Sequence, residues 1–255
     1  MKTLFSTGTL YQLPLKDVFL LSREAGFDGC DLVINRALDD PRYREVLQEV
    51  AAILPVYSLH VPYHRLKAWG TQVEALKRSV DLAREFAIRV VNFHPPSWFH
   101  HEWHFYRWFR KIRDFQKELE CDNVFLAIEN MPLIGRRLRL APYVFNDFRD
   151  LIEFGIKRNL YFTFDTTHLG TFEQDPVAAF LAYYGTDRLR NIHLSDCISA
   201  DGHLFPGRGT LPIARLLNTV RAVRDNFRRS AGASAGSDRA LRRIRGTAPT
   251  TFLVP

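Results

Sequence analysis

Cysteine is scarce in this chain: Cys30, Cys121 and Cys197 are the only three among 255 residues, with no CxxC pair. An odd, scattered set of this kind excludes a disulfide framework and a thiolate metal site, and reads as three reduced small hydrophobes. Long apolar runs are missing too. None approaches the roughly 18 residues of a membrane span, so no membrane partner is expected. The opening MKTLFSTGTLYQLPL is too broken by Thr, Ser and Gly to serve as a signal peptide, and a cytoplasmic location is expected. Positive charge is thin over most of the chain. The formal charge is +7, but eight Arg stand against two Asp in residues 221–255, which leaves the first 220 residues nearly neutral. Basic, Gly-rich insertions that would grip DNA are absent as well. A phosphate-backbone binder carries its basic surface on the fold, so DNA is a less favoured partner than a small carbohydrate or phosphosugar.

What is present is a repeating pattern. Short β-branched or aromatic runs appear as LFSTGT, CDLVI, VYSLHV, RVVNFH, VFLAIEN, LYFTFDTTH and NIHLSD, at a spacing of about 25 to 36 residues, the length of one strand-helix unit. Amphipathic segments lie between them. One begins at Pro14 with Leu15, Val18, Phe19 and Leu21 inward and stops at Gly26. Another carries Val73, Leu76, Val80, Ala83 and Phe86, and a third carries Phe148, Leu151 and Ile152 behind an Asn146 cap. Seven such units predict a parallel (β/α)8 TIM barrel whose eighth strand is atypical or missing, with a doubly wound open sheet as the alternative. After the seventh unit, Thr210 reads as a cap for a helix carrying Ile213, Leu216, Leu217, Val220, Val223 and Phe227. The pattern then fails. Residues 1–227 are expected to form the metal-dependent catalytic barrel, and 228–255 an irregular basic tail. Its Arg, Ala, Gly and Ser content is also what out-of-frame translation of GC-rich DNA produces, which would make it an aberrant C-terminus. TFLVP at its end is the one strand-like run left to close the barrel.

In a parallel barrel the active site lies at the C-terminal ends of the strands. Five successive ends bear an imidazole or a carboxylate: His60, His94, Glu129, Asp165 with His168 three residues on, and His193, followed by Asp201 and His203. His60 or His94 alone reads equally well as a hydrogen-bonded core histidine, and His64 as a surface one. Glu129 and Asp165, closing the apolar runs VFLAI and YFTF, are harder to place without a cation, because a buried carboxylate needs a partner. Imidazole and carboxylate together suit zinc, manganese or iron.

SLHVPY, NFHPPS, AIENMP, FDTTH and HLSD…DGHLFPGRG, in that order, resemble the xylose isomerase-like TIM-barrel superfamily, which includes sugar isomerases and epimerases and the endonuclease IV type of AP endonuclease. The likeness covers residues 1 to about 225. In the endonuclease branch it implies three zinc ions: one on His60, His94 and Glu129, a second on Glu129, Asp165 and His193, and a third on His168, Asp201 and His203. In the isomerase branch it implies a single metal on Glu129, Asp165, His193 and an eighth-strand glutamate, with His168 facing substrate. Glu129 and His168 are thus the candidate catalytic residues. Both branches take a ligand from the eighth strand, so the resemblance implies one to three Zn2+ or Mn2+ ions, and TFLVP, which offers no carboxylate, implies impaired activity.

The remaining loops offer Arg136, Arg137 and Arg208 as candidate substrate-phosphate contacts, each with a solvated-loop alternative. Trp103, Trp108, Ile112 and Phe115 read as the packed face of a helix following the fourth strand, the rest of SWFHHEWHFYRWF forming a lid. Asp196 either orients His193 or ends its strand. The expected function is a sugar or sugar-phosphate isomerase or epimerase. Zinc-dependent phosphodiester hydrolysis and a noncatalytic binding barrel are the alternatives, and oligomerisation is left open.

Overall fold

The computed structural model describes residues 1–135, 140–172, 175–198, 201–233 and 251–254. Seven parallel strands arise where the alternating apolar runs fall: β1 (Lys2–Ser6), β2 (Gly29–Val33), β3 (Val56–His60), β4 (Val90–Phe93), β5 (Phe125–Glu129), β6 (Tyr161–Asp165) and β7 (Leu189–His193). A short antiparallel hairpin follows, of β8 (Asp196–Ile198) and β9 (Asp201–Leu204), and β10 (Thr251–Val254) inserts between β1 and β7 to close the barrel. The eighth strand is therefore present but atypical. It runs alongside β1 from Lys2 opposite Thr251 to Phe5 opposite Val254, yet meets β7 only at Leu253 opposite His193.

The outer layer consists of α1 (Leu15–Glu24), α2 (Tyr43–Ala51), α3 (Gln72–Glu85), α4 (Trp103–Lys111), α5 (Phe115–Glu118), α6 (Phe148–Lys157), α8 (Pro176–Tyr184) and α9 (Ile213–Ala233), while the short, buried α7 (Thr166–Gly170) follows β6 directly. Local chemistry sets the boundaries. Thr71 and Glu74 form a reciprocal capping box at the start of α3: Glu74 N–H donates to Thr71 Oγ1 at 3.3 Å, and Thr71 N–H to Glu74 Oε2 at 2.7 Å. Between helices and sheet, Phe93, Phe109, Phe115 and Phe154 interlock, with Phe109 stacked on Phe154 at 4.9 Å. Such pairs add about 0.5–1.5 kcal/mol each beyond the area they bury.

Several local expectations are corrected. In α1 the inward residues are Leu15, Val18, Phe19 and Ser22, while Leu21 is exposed; the i, i+3, i+4, i+7 stripe selects position 22 although its residue is polar. Ser22 is accommodated because its hydroxyl donates to Val18 O at 2.7 Å. The cap of α6 is Asp147, whose carboxylate accepts Arg149 N–H at 2.8 Å, and not Asn146. Thr210 does not cap α9; its hydroxyl donates to Cys197 O. Phe105 and Phe109 form the buried face of α4, whereas Trp103 is exposed. Finally, α9 stays helical to Ala233, past the expected limit at 227.

Candidate metal centre

Inside a parallel barrel, side chains stack in layers drawn from alternate strands. One layer here uses odd-numbered barrel strands and contains His60 of β3, Glu129 of β5 and His193 of β7. Above it, His94 just past β4 and Asp165 of β6 face the same space. His168 reaches in from α7, and His203 from the hairpin. Together they line a cavity of about 530 Å3, whose walls also include Ser6, Thr9, Tyr63, Tyr143 and Ser195.

Glu129 is the centre of this arrangement, and its two oxygens divide the imidazoles between them. Oε2 lies 3.2 Å from His60 Nε2 and 3.7 Å from His94 Nε2. Oε1 lies 3.0 Å from His193 Nδ1 and 3.3 Å from His168 Nδ1. Asp165 Oδ2 is 3.6 Å from His193 Nδ1, while its Oδ1 accepts His168 N–H at 2.8 Å. Backbone groups hold the rings in place. His60 Nδ1 donates to Val61 O at 2.8 Å, and because a carbonyl can only accept, the proton sits on Nδ1 and Nε2 is turned toward Glu129. His168 Nδ1 likewise donates to Asn130 O at 2.8 Å. Asn130 also bonds the backbone of Asp165 in both directions, at 2.9 Å each. Outer partners of this kind orient metal ligands and fix their tautomers.

The electrostatics describe a pocket built for positive charge. Burial alone would raise the Glu129 carboxyl, but His193, His168 and His60 outweigh it and hold the group well below the usual carboxylate range. Asp165 is lowered in the same way, His168 and His193 overcoming its burial. Reciprocally, burial would lower His168, yet Asp165 and Glu129 keep it up at about 9, and Glu129 and Asp165 raise His193 against its own desolvation. His94 departs the other way, pushed down to about 3 by burial and by the neighbouring His60.

Three overlapping sets of donors each lie within 4.8 Å of one another: His60, His94 and Glu129; Glu129, Asp165 and His193; and Asp165, His168 and His203. The donors are N and O atoms suited to Zn2+ or Mn2+. The chemistry fits a divalent cation: with the proton of His60 committed to a carbonyl, its Nε2 lone pair faces the buried Glu129 carboxylate, and an intervening cation satisfies both.

The positions expected from sequence thus divide. Seven of the eight ligand candidates, His60, His94, Glu129, Asp165, His168, His193 and His203, come together in the donor sets. The backbone of Asp201 lies in β9 opposite Ile198, and its side chain is outside the described residues. Arg136 and Arg137 are outside them too. Arg208 is exposed in the turn before α9 and is not among the residues lining the cavity. His203 takes a left-handed φ of 58°, a backbone state that costs a non-glycine residue about 1–3 kcal/mol and clusters at functional sites.

Asp196 takes neither of its two expected roles. Its Oδ1 accepts N–H groups of Cys197 (2.9 Å) and Leu211 (3.0 Å), and its Oδ2 those of Gly207 and Gly209 (2.9 Å each). It ties the turn that follows β9, from Gly207 to Leu211, to the start of β8. Glycine is required at 209, because a Cβ there would lie 2.3 Å from Asp196 Oδ1.

A polar layer below the histidines was not anticipated. Asp31 of β2, fully buried, accepts from Ser58 Oγ, and at 3.1 Å from Asn92 Nδ2; Thr163 Oγ1 donates to Asn92 Oδ1 in turn. The sequence signal is one carboxylate, Asp31, within the otherwise apolar CDLVI.

Residues 19–230 match the family described as xylose isomerase-like TIM barrel. An uncharacterised protein of Mycobacterium leprae is 27% identical over 242 residues, 82% of this chain and 80% of that one. Among solved structures, a D-tagatose 3-epimerase-like protein is similar with a TM-score of 0.69 at 19% identity, over 100% of this chain and 90% of that one. Endonuclease IV from Thermus thermophilus is similar with a TM-score of 0.60 at 15% identity, over 100% and 93%. At these identities the likeness to solved structures is one of fold.

Proposed function

This chain belongs to the xylose isomerase-like TIM barrel family, and we propose that it is a divalent-metal-dependent enzyme that hydrolyses a phosphate-ester bond in a small, sugar-containing substrate. The observation that carries this reading is the division of Glu129: one oxygen faces the His60–His94 pair and the other the His168–His193 pair. A carboxylate placed this way suits a bridge between two cations, and a single-metal isomerase has no need of His60 and His94. The near-neutral body and the cavity at the barrel mouth favour a small substrate over duplex DNA.

Bound divalent cations would supply activated water and stabilise charge on the phosphate oxygens. The chain's own groups prepare the site. Glu129 and Asp165 supply the negative charge, and the bonds from His60 to Val61 O and from His168 to Asn130 O fix those rings before substrate arrives. Tyr63 and Tyr143 flank His94 with ring centres 6.3 and 6.5 Å away, offering apolar faces to a sugar ring.

Isomerisation or epimerisation of a sugar or sugar phosphate is the second reading. It is favoured by Glu129, Asp165, His193 and His168 lining one cavity; the lack of a carboxylate in Thr251–Val254 weighs on both readings alike. Replacing His60 and His94 together separates the two. Assayed on an activated phosphodiester, abasic-site DNA and a ketose panel, the double variant should lose phosphodiester cleavage by at least about 100-fold. Ketose turnover in the parent that survives in the variant would overturn the hydrolase reading.

A further inference from the structure

Most of the buried carboxylate oxygens in this barrel have partners, but Asp31 Oδ2 does not. It is buried and accepts no hydrogen bond, while Oδ1 of the same group takes Ser58 Oγ and Asn92 Nδ2. Leaving a buried acceptor unmade costs about 1–3 kcal/mol, more if the group is charged. Such a cost calls for a compensating partner. The residue lines the cavity together with His60, Glu129, Asp165 and His193, and the register puts Asp31 opposite Ser58 with Val33 opposite His60, one step below the histidine layer. The bonds running from Thr163 to Asn92 to Asp31 cross from β6 through β4 to β2, so the layer is fixed from both sides and presents the free oxygen as part of the floor.

The closing strand gives this placement its meaning. In a barrel whose layers draw on alternate strands, the eighth strand shares its layers with the second, fourth and sixth. Thr251–Val254 brings no carboxylate to them. Asp31 is a carboxylate in the same set of strands. We infer that Asp31 is part of the metal centre: from the barrel floor it supplies, to a divalent cation held by Glu129, Asp165 and His193, the negative charge that the eighth strand lacks. This rests on the metal-dependent reading given above. Asp31 is in none of the three donor sets, so its contribution is charge placed beneath the cation and not a further donor atom. Burial raises the Asp31 carboxyl above the ordinary range, and His193 and His60 pull it back in part; a cation above it acts in the same direction as those imidazoles, so binding draws a proton off this group.

The test uses Asp31→Asn, which keeps the Oδ1 acceptor and the shape of the side chain. Chelator-stripped parent and variant are titrated with Mn2+ by calorimetry and melted without metal. The inference expects Mn2+ affinity to fall about tenfold, while the metal-free variant melts no lower than the parent, because a purely structural aspartate would give the opposite pattern. Equal affinity in the two proteins overturns the inference and leaves the metal-dependent reading standing. A parent that binds no Mn2+ overturns both. Should the variant be destabilised, an infrared difference spectrum of the parent at mildly acidic pH decides. Mn2+ addition should remove a protonated-carboxyl band, and an unchanged band overturns the proposal.

Discussion

The two sides of the barrel are held together differently. From β3 to β7 each strand pairs with the next, with a register shift between Phe162 and Thr163 of β6, and side chains tie strands across the interior: Asn92 to Asp31, Thr163 to Asn92, and Asn130 to the backbone of Asp165. At the seam, β10 follows β1 along its length but meets β7 only beside His193. The arc is thus held by backbone pairing and by polar side chains that also serve the site, and at the seam β10 joins β7 at one register position. Closure and chemistry are separable in this fold, apart from their meeting at His193.

Removing residues 251–255 is the most severe way to break that contrast. It leaves the edges of β1 and β7 unpaired, and a loss of about 4 kcal/mol or more is expected in urea denaturation. Survivors of the truncation should still bind metal through His60, His94 and Glu129. A truncated protein as stable as the parent would show that β10 contributes nothing to closure.

Next in size is Asp196→Ala. Four backbone N–H groups lose their acceptor, a cost of about 3 kcal/mol. The turn that follows β9 should become sensitive to protease at Gly207–Gly209. An unchanged midpoint and cleavage pattern would mean that the hairpin holds itself.

The arc also carries a pH signature. His168 rises from its ordinary value of 6.5 to about 9 in the folded protein. A raised folded value stabilises fully below the unfolded pKa and is lost as pH climbs through the folded one. Metal-free protein should therefore lose on the order of 2 kcal/mol between pH 6.5 and about 9, read as the urea midpoint in chelator. His168→Gln should flatten that slope.

The smallest effect is expected in α1. Leu21→Lys should stay within about 0.5 kcal/mol, while Ser22→Lys, which buries a charge, should cost more than about 2. Reversal of that order would contradict the helix phase.

That pair shows what the sequence made legible. The seven strands, and the histidines and carboxylates at their ends, could be read because strand ends in a parallel barrel converge whatever the loops do. Spacing and hydrophobicity agree on the buried face of α3, but in α1 they part at Leu21, which is apolar and exposed while Ser22 takes the inward position. Asn146 and Asp147 are equally good caps by composition, and only the entering backbone direction separates them. Asp31 was hidden because its partners Ser58 and Asn92 are 27 and 61 residues away; a polar layer inside an apolar run exists only once the barrel closes. The role of Asp196 is hidden in the sequence for a related reason, since its four partners include loop amides up to 15 positions on.

In the proposed function Glu129 is shared between cations. Elemental analysis of wild type and Glu129→Gln, each loaded with Zn2+ and desalted, tests it most directly. Wild type should retain about two or three equivalents and the variant at most about one, since one substitution removes a donor from two sites at once. Wild type without stoichiometric metal, or a Glu129→Gln variant that retains as much as its parent, would contradict the account.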